Sequence, residues 1–249
     1  IAPIRALLDD LNHDALLLVD CIASLACDEF QMDSWGADVM VAACQKGLMV
    51  PPGVSFVFFN QKAKDLQSSL KLVSSYWDWA PRINPDYYYK YFGGTAPTHH
   101  LYGLNVALDM ILKEGIEAVW RRHEVLASAI WAAIESWEKG GELKANIQDK
   151  KLRSAAVTSL HVQTPKGTHI RKWLQANTGL TIGIGLGMAT PNDPNGDGYF
   201  RLGHMGHVNA QMIMALIATL ETAMIAVGVP HGNNAINKAA SIIAKFSEP

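Results

Sequence analysis

Charge of one sign is what this sequence has least of. Its 21 Lys and Arg against 23 Asp and Glu leave a formal charge of −2, so no basic face is on offer to nucleic acid or to an anionic membrane. Cysteine is nearly as scarce. Cys21, Cys27 and Cys44 form no C-x-x-C pair, and their odd number fits reduced thiols, so a cytoplasmic location is expected. There is no N-x-[ST] acceptor, no internal repeat and no low-complexity tract. The chain opens on Ile1 with no Met and no signal-like region, so any targeting segment would precede what is seen. Long apolar runs are missing except for Met212–Val229, which carries Glu221 near its middle between Thr219 and Thr222. A central carboxylate costs about 2–3 kcal/mol in lipid, so a buried helix is expected there.

What remains is ordinary material for a folded protein: 249 residues, 49% hydrophobic and 18% charged, enough for one sizeable core or two smaller ones. Ile1–Asp10 reads as a helix with Pro3 in its first turn. Ala15–Val19 is a continuous apolar run ending in Asp20, the pattern of a strand buried on both faces. Asp38–Ala43 and Val54–Phe59 are the next strands, and Gln61–Val73 reads as a charged helix. An aromatic, irregular stretch from Tyr76 to Phe92 ends at Gly93-Gly94-Thr95-Ala96-Pro97. A long helical pattern then runs from about 98 to 138, with Gly115 at a bend and Gly140-Gly141 at its end. Beyond it, Ser154–Gln163 alternates as a strand and His169–Asn177 is helical, closed by Gly179. Tyr199–Leu202 reads as a short strand, and Asn209–Val227 and Asn233–Phe246 as helices. The pattern is α/β, with two domains expected at 1–114 and 115–249 and the long helix joining them.

Two ionisable residues stand at the ends of neighbouring apolar runs. Lys46 lies in Cys44-Gln45-Lys46-Gly47, followed by Pro51-Pro52-Gly53. Ligands of open α/β sheets bind just beyond the carboxyl ends of the strands, where a lysine withdrawn from water becomes a nucleophile able to form a Schiff base. By composition alone the ordinary reading of Lys46 is a solvated loop residue. Asp20, ending a strand taken to be buried, has no easy access to water and needs a cationic or donor partner. A protonated pyridine nitrogen would serve; the other reading is a helix N-cap.

The segments Leu18-Val19-Asp20-Cys21-Ile22-Ala23-Ser24-Leu25, Trp35-Gly36-Ala37-Asp38-Val39, Gln45-Lys46-Gly47-Leu48 and Pro51-Pro52-Gly53 resemble the signature of class V aminotransferases. These are fold type I enzymes dependent on pyridoxal 5′-phosphate (PLP), and the alanine–glyoxylate and serine–glyoxylate branch is the most similar. The resemblance runs through the whole chain. It implies the C-terminal part of a large, mostly parallel-sheet PLP-binding domain followed by a small α+β domain. It gives Lys46 the Schiff base and the proton shuttle, Asp20 the pyridinium, Ile22 a face of the ring and Gln45 the phosphate. Thr95 is similar to the family threonine that reaches the phosphate of the partner subunit of a homodimer with shared active sites. Phe92 stands where the family often has a tyrosine, which removes one hydroxyl contact.

Arg201, in Tyr199-Phe200-Arg201-Leu202-Gly203-His204-Met205-Gly206, can offer its planar fork to a carboxylate or form a surface ion pair. With the family motif in view it looks like the clamp on the substrate α-carboxylate. Other motifs fail. Asp193–Gly198 copies half of an EF-hand, but His204 stands at position 12 in place of the bidentate glutamate. His204 and His207 have no third ligand spaced nearby, and no metal is expected. Gly183–Gly187 leads to Pro191, not to a helix, so it is no dinucleotide fingerprint. The aromatics of 76–91 are read as packing or a dimer surface.

The resemblance also implies a further half, ~150 residues by domain size, ahead of Ile1, with the phosphate-binding helix N-terminus and the aromatic that stacks on the cofactor. The expectation is therefore transamination between a small amino acid (alanine or serine) and a 2-oxo acid such as glyoxylate or pyruvate. The alternatives are a pyridoxamine–pyruvate transaminase and an inactive remnant that only dimerises.

Overall fold

The computed structural model describes residues 1–71 and 73–246. The chain divides into two compact units: Ile1–Leu25 with Glu29–Lys113, and Ala26–Asp28 with the residues from Glu114 onward.

In the first unit, α1 (Ala2–Asp10) begins with Pro in its first turn and buries none of its residues. The strands β1 (Leu18–Asp20), β2 (Val39–Ala43) and β3 (Ser55–Phe59) form a sheet in chain order. β1 runs parallel to β2, with Leu18 opposite Val39 and Asp20 opposite Val41, and β3 returns antiparallel to β2. Central β2 is buried along most of its length, as its Val-Met-Val-Ala-Ala sequence requires. Buried Asp38, just before β2, ties three segments together. It accepts the Leu17 N–H at 2.8 Å, the Asn60 amide at 2.8 Å and the Arg5 guanidinium at 3.4 Å. Asn60 in turn caps α2 (Gln61–Ser69) by accepting the Ala63 N–H at 2.9 Å. After two short 3₁₀ turns, Ala80–Arg82 and Tyr88–Tyr91, α3 (Thr98–Glu114) closes the unit.

Three expectations change here. The strand anticipated at Ala15–Val19 shrinks to a three-residue edge strand, and Leu18 keeps 64% of its surface exposed. An apolar run reports hydrophobicity, not the layer that covers it, and β1 has one strand neighbour. The segment expected to be helical over 61–73 is so only to Ser69, and Leu72 lies outside the described residues. The pattern over 98–138 is two helices. Gly115, at φ +89°, separates α3 from α4 (Ile116–Glu138), a conformation open to glycine and strained for other residues.

The second unit places an antiparallel sheet, ordered β4-β5-β7-β6, against helices. Its elements are β4 (Lys144–Ala145), β5 (Val157–His161), α5 (Lys166–Thr178), β6 (Gly183–Ile184), β7 (Tyr199–Gly203), α6 (Ala210–Val227) and α7 (Ala235–Ile243). β5 alternates as its sequence does, with Thr158 and Leu160 inward. Leu160 joins a core with Phe200 and Leu202 of β7, Leu126, Ile130, Ile134 and Trp137 of α4, and Ile213, Ile217 and Leu220 of α6. α5 ends at Gly179, φ +71°. α6 is long and apolar enough to cross a membrane by length and composition; one stripe of it lies in this core. Glu221, in the middle of that apolar run, accepts the Trp137 indole N–H at 2.9 Å.

Candidate active site

Parallel pairing of β1 with β2 puts two chain corners side by side at the carboxyl end of the sheet. Asp20 is the last residue of β1, and Lys46 sits in the turn that leaves β2. Asp20 is exposed; its Oδ1 accepts the N–H of Ile22 at 2.9 Å. The expectation of a carboxylate without access to water is thus corrected: β1 is an edge strand and its end is open. The turn after Asp20 is neither a helix nor a helix N-cap. Among the described residues neither carboxylate oxygen meets a cation.

Lys46 is half-buried, and its amine has no hydrogen-bond or ion-pair partner among the described residues. Its loop is closed by backbone bonds. Met49 N–H reaches the Lys46 carbonyl at 3.0 Å, and Val50 N–H reaches that of Cys44 at 2.9 Å. Cys44, fully buried, adds its thiol, which donates to the Pro51 carbonyl at 3.0 Å and accepts the Val54 N–H at 3.3 Å. His100 of α3 bonds the Pro52 carbonyl at 3.0 Å. Gly53 lies against the His100 ring, where a Cβ would collide with it. The lysine is therefore carried on a rigid loop while its amine stays open.

Gln45 and Ile22 are exposed beside these two residues in sequence. Thr95 is exposed in the turn before α3, and no hydrogen bond joins it to Asp20, Gln45 or Lys46 among the described residues. In the second unit, Arg201 is held by strands on both sides, opposite Ser159 of β5 and Gly183 of β6. Its Nε donates to the Ile184 carbonyl at 2.8 Å, and its terminal nitrogens have no carboxylate partner among the described residues. The surface ion pair weighed for this arginine is not formed among the described residues.

The residues that fix the segments entering β5 and leaving β7 were not singled out for that role from sequence. Asp28 accepts the Ala155 N–H at 2.7 Å and the Ser154 hydroxyl at 2.5 Å. Arg122 grips Glu114 with two nitrogens, at 2.7 and 3.0 Å, and donates to the carbonyls of Gly206 and Val208. His123 and His204 are wholly buried. Burial pushes the His204 imidazole down to about 4 and lowers that of His123 as well. The one signal in the sequence was a histidine on the apolar stripe of a helix.

Asp193, weighed as a calcium ligand, accepts the Asp197 and Gly198 N–H groups at 2.9 and 2.8 Å and the Thr164 hydroxyl at 3.1 Å. Burial works to raise this carboxyl and the donors outweigh it, so it sits below its ordinary value. It organises a turn. Among the described residues no three His, Cys, Asp or Glu converge as metal ligands.

Comparison with known proteins identifies the family. The aminotransferase class-V family profile matches residues 1–195. The serine–glyoxylate aminotransferase of Arabidopsis thaliana is 34% identical over 236 residues, covering 92% of this chain and 55% of its own length. The L-aspartate–glyoxylate aminotransferase of Paracoccus denitrificans is 33% identical, with 92% and 56% covered. Among solved structures, the pyridoxamine–pyruvate aminotransferase of Mesorhizobium loti superposes with a TM-score of 0.79 at 26% identity, covering 96% of this chain and 59% of that one. The chain spans about half the length of the curated relatives it matches. The family depends on PLP, its fold is type I, and on the match over residues 1–195 this chain is a member of the class-V aminotransferases.

Proposed function

We propose that this chain carries the catalytic half of a PLP-dependent aminotransferase, moving an amino group between a small amino acid (alanine or serine) and a 2-oxo acid such as glyoxylate or pyruvate. The observation that carries the reading is the placement of Asp20 and Lys46 at the carboxyl ends of adjacent parallel strands, with neither side chain in an ion pair among the described residues. That donor set fits the cofactor. Lys46 would hold its aldehyde carbon, Asp20 its ring nitrogen, Ile22 a ring face, and Gln45 and Thr95 its phosphate. When bound, PLP supplies the electron sink for the electron pair left at the substrate Cα.

The protein's own residues do the rest. Arg201 would bind the substrate carboxylate through its terminal nitrogens. Lys46, as an amine on a rigid loop, takes the proton from Cα and returns it. Asp20, hydrogen-bonded to its own turn, would hold the ring nitrogen. A homodimer accompanies this reading, supported by the exposed Tyr76, Trp77, Tyr87, Tyr88 and Tyr89 of the first unit; sedimentation would test it. A cytoplasmic location is proposed as well, supported by three thiols without a disulfide.

The test is Lys46→Ala. Borohydride reduction of the protein with PLP should fix the cofactor mass on the Lys46 peptide and on no peptide of the variant, and the visible absorption should vanish. A variant that keeps the band overturns the assignment. A second reading, transfer between free pyridoxamine and pyruvate, is supported by the likeness to the Mesorhizobium loti enzyme. Release of free pyridoxal from those two substrates would establish it.

A further inference from the structure

The chain leaving β7 makes an unusual number of bonds to buried side chains. His204 extends the strand by one bond, its N–H reaching the Ala156 carbonyl at 2.9 Å. Its imidazole is then used on both nitrogens. Nδ1–H donates to the Ala155 carbonyl at 2.8 Å, and Nε2 accepts the Thr158 hydroxyl at 2.9 Å. The Thr158 oxygen itself accepts the Trp131 indole N–H at 3.0 Å, which leaves the hydroxyl proton for His204. Two residues on, Gly206 turns at φ +84°. Its N–H donates to His123 Nε2 at 3.0 Å, its carbonyl accepts from Arg122 at 3.0 Å, and His123 Nδ1–H donates to Val119 at 2.7 Å. Neighbouring residues of α4 thus hold both polar groups of Gly206.

The His123 bonds hold only while that ring is neutral with its proton on Nδ1, and the Thr158 hydroxyl proton completes the same tautomer at His204. A proton on His123 Nε2 would face the Gly206 N–H donor to donor. The charged groups around the pair are Arg122, Glu114 and Asp28, and the Cys27 thiol, pushed up to about 11 by burial, also faces the Gly206 N–H. All of them lie within the second unit.

We propose that His123 and His204 are positioning residues for carboxylate binding: as neutral hydrogen-bonding rings they lock the Gly203–Gly206 exit of β7 and so fix where Arg201 presents its terminal nitrogens. The inference rests on the reading of Arg201 as the group that binds the substrate carboxylate. It assigns the acid limb of amino-acid affinity to these rings, because arginine keeps its charge throughout.

The experiment compares Arg201→Gln, His123→Leu and His123→Gln in the holoenzyme. The probe is whichever of L-serine, L-alanine and L-aspartate turns over fastest with glyoxylate. His123→Leu leaves the buried Gly206 N–H only the weaker Cys27 sulfur as acceptor and should raise KM about tenfold while kcat stays within about twofold. His123→Gln supplies a neutral acceptor, so it should restore KM and flatten its rise toward acid. An unchanged KM in a folded His123→Leu protein overturns the proposal. An unchanged KM in Arg201→Gln overturns instead the reading beneath it. Independently of folding or turnover, ¹⁵N NMR of the unmodified protein should show both rings neutral and protonated on Nδ1 at neutral pH. A ring that is charged there, or carries its proton on Nε2, sinks the proposal.

Discussion

At the scale of single residues, the buried polar groups decide how this protein answers pH. His204 titrates at about 4 in the fold against about 6.5 in an unfolded chain. Below about 6.5 the unfolded chain takes up a proton that the folded ring refuses, so stability falls as pH drops toward 4 and levels off beneath it. His123, also lowered, acts in the same direction. For His204 the loss over that interval should reach about 3 kcal/mol. Urea midpoints measured at several pH values would show it, and His204→Gln should flatten the slope. Asp193 works in a lower window. Its depressed carboxyl contributes stability that is present above about 3.9 and lost as pH falls through its folded value. Asp193→Asn replaces one acceptor by an amide facing N–H donors and should cost about 1–3 kcal/mol at neutral pH; an unchanged urea midpoint would refute the turn-organising role.

At the scale of elements, close backbone approaches set what can be changed. Past the end of α4, Gly141 lies against the Pro230 carbonyl, and Gly232 lies against the Ser136 carbonyl on α4 itself. A methyl at either would enter backbone that cannot retreat. Gly232→Ala should therefore cost about 1–3 kcal/mol or more. Gly203→Ala, with open space at its Cβ, should stay within about 0.5 kcal/mol. Equal melting temperatures for the two variants would contradict this account. The helix pattern from Thr98 onward was legible as apolar spacing, and so was the special position of Gly115. That the backbone turns to φ +89° there, ending one helix and starting another, is a property of conformation that spacing does not encode.

At the scale of the whole molecule, the two units are unequally built. The second has a continuous core from Leu126 to Ala239, with Trp137, Phe200, Leu160 and Leu220 wholly buried. The first has small clusters around Cys21 and Met40 and around Cys44 and Val50, and it leaves Tyr102, Leu112, Trp77 and Leu18 largely exposed. Local stability follows buried apolar contact. Hydrogen exchange on the isolated chain should find the amides of α4, β5 and β7 the last to exchange, with those of β2 distinctly earlier. Equal protection of β2 and β5 would show that the first unit draws stability from something other than its own core.

The candidate residues could be picked out of the sequence because they came with their punctuation: Asp20 after an apolar run, Lys46 before Pro51-Pro52-Gly53, Arg201 in a short strand that runs into glycines. Apolar periodicity likewise fixed the elements, since a face that must leave water repeats at the spacing of its helix or strand. Tertiary structure alone decided the rest. Whether Asp20 is covered depends on which strand lies beside β1. His123 and His204 acquire their roles from partners 83 and 46 residues away, and a hydrogen bond between groups so far apart in the chain leaves no local pattern to read.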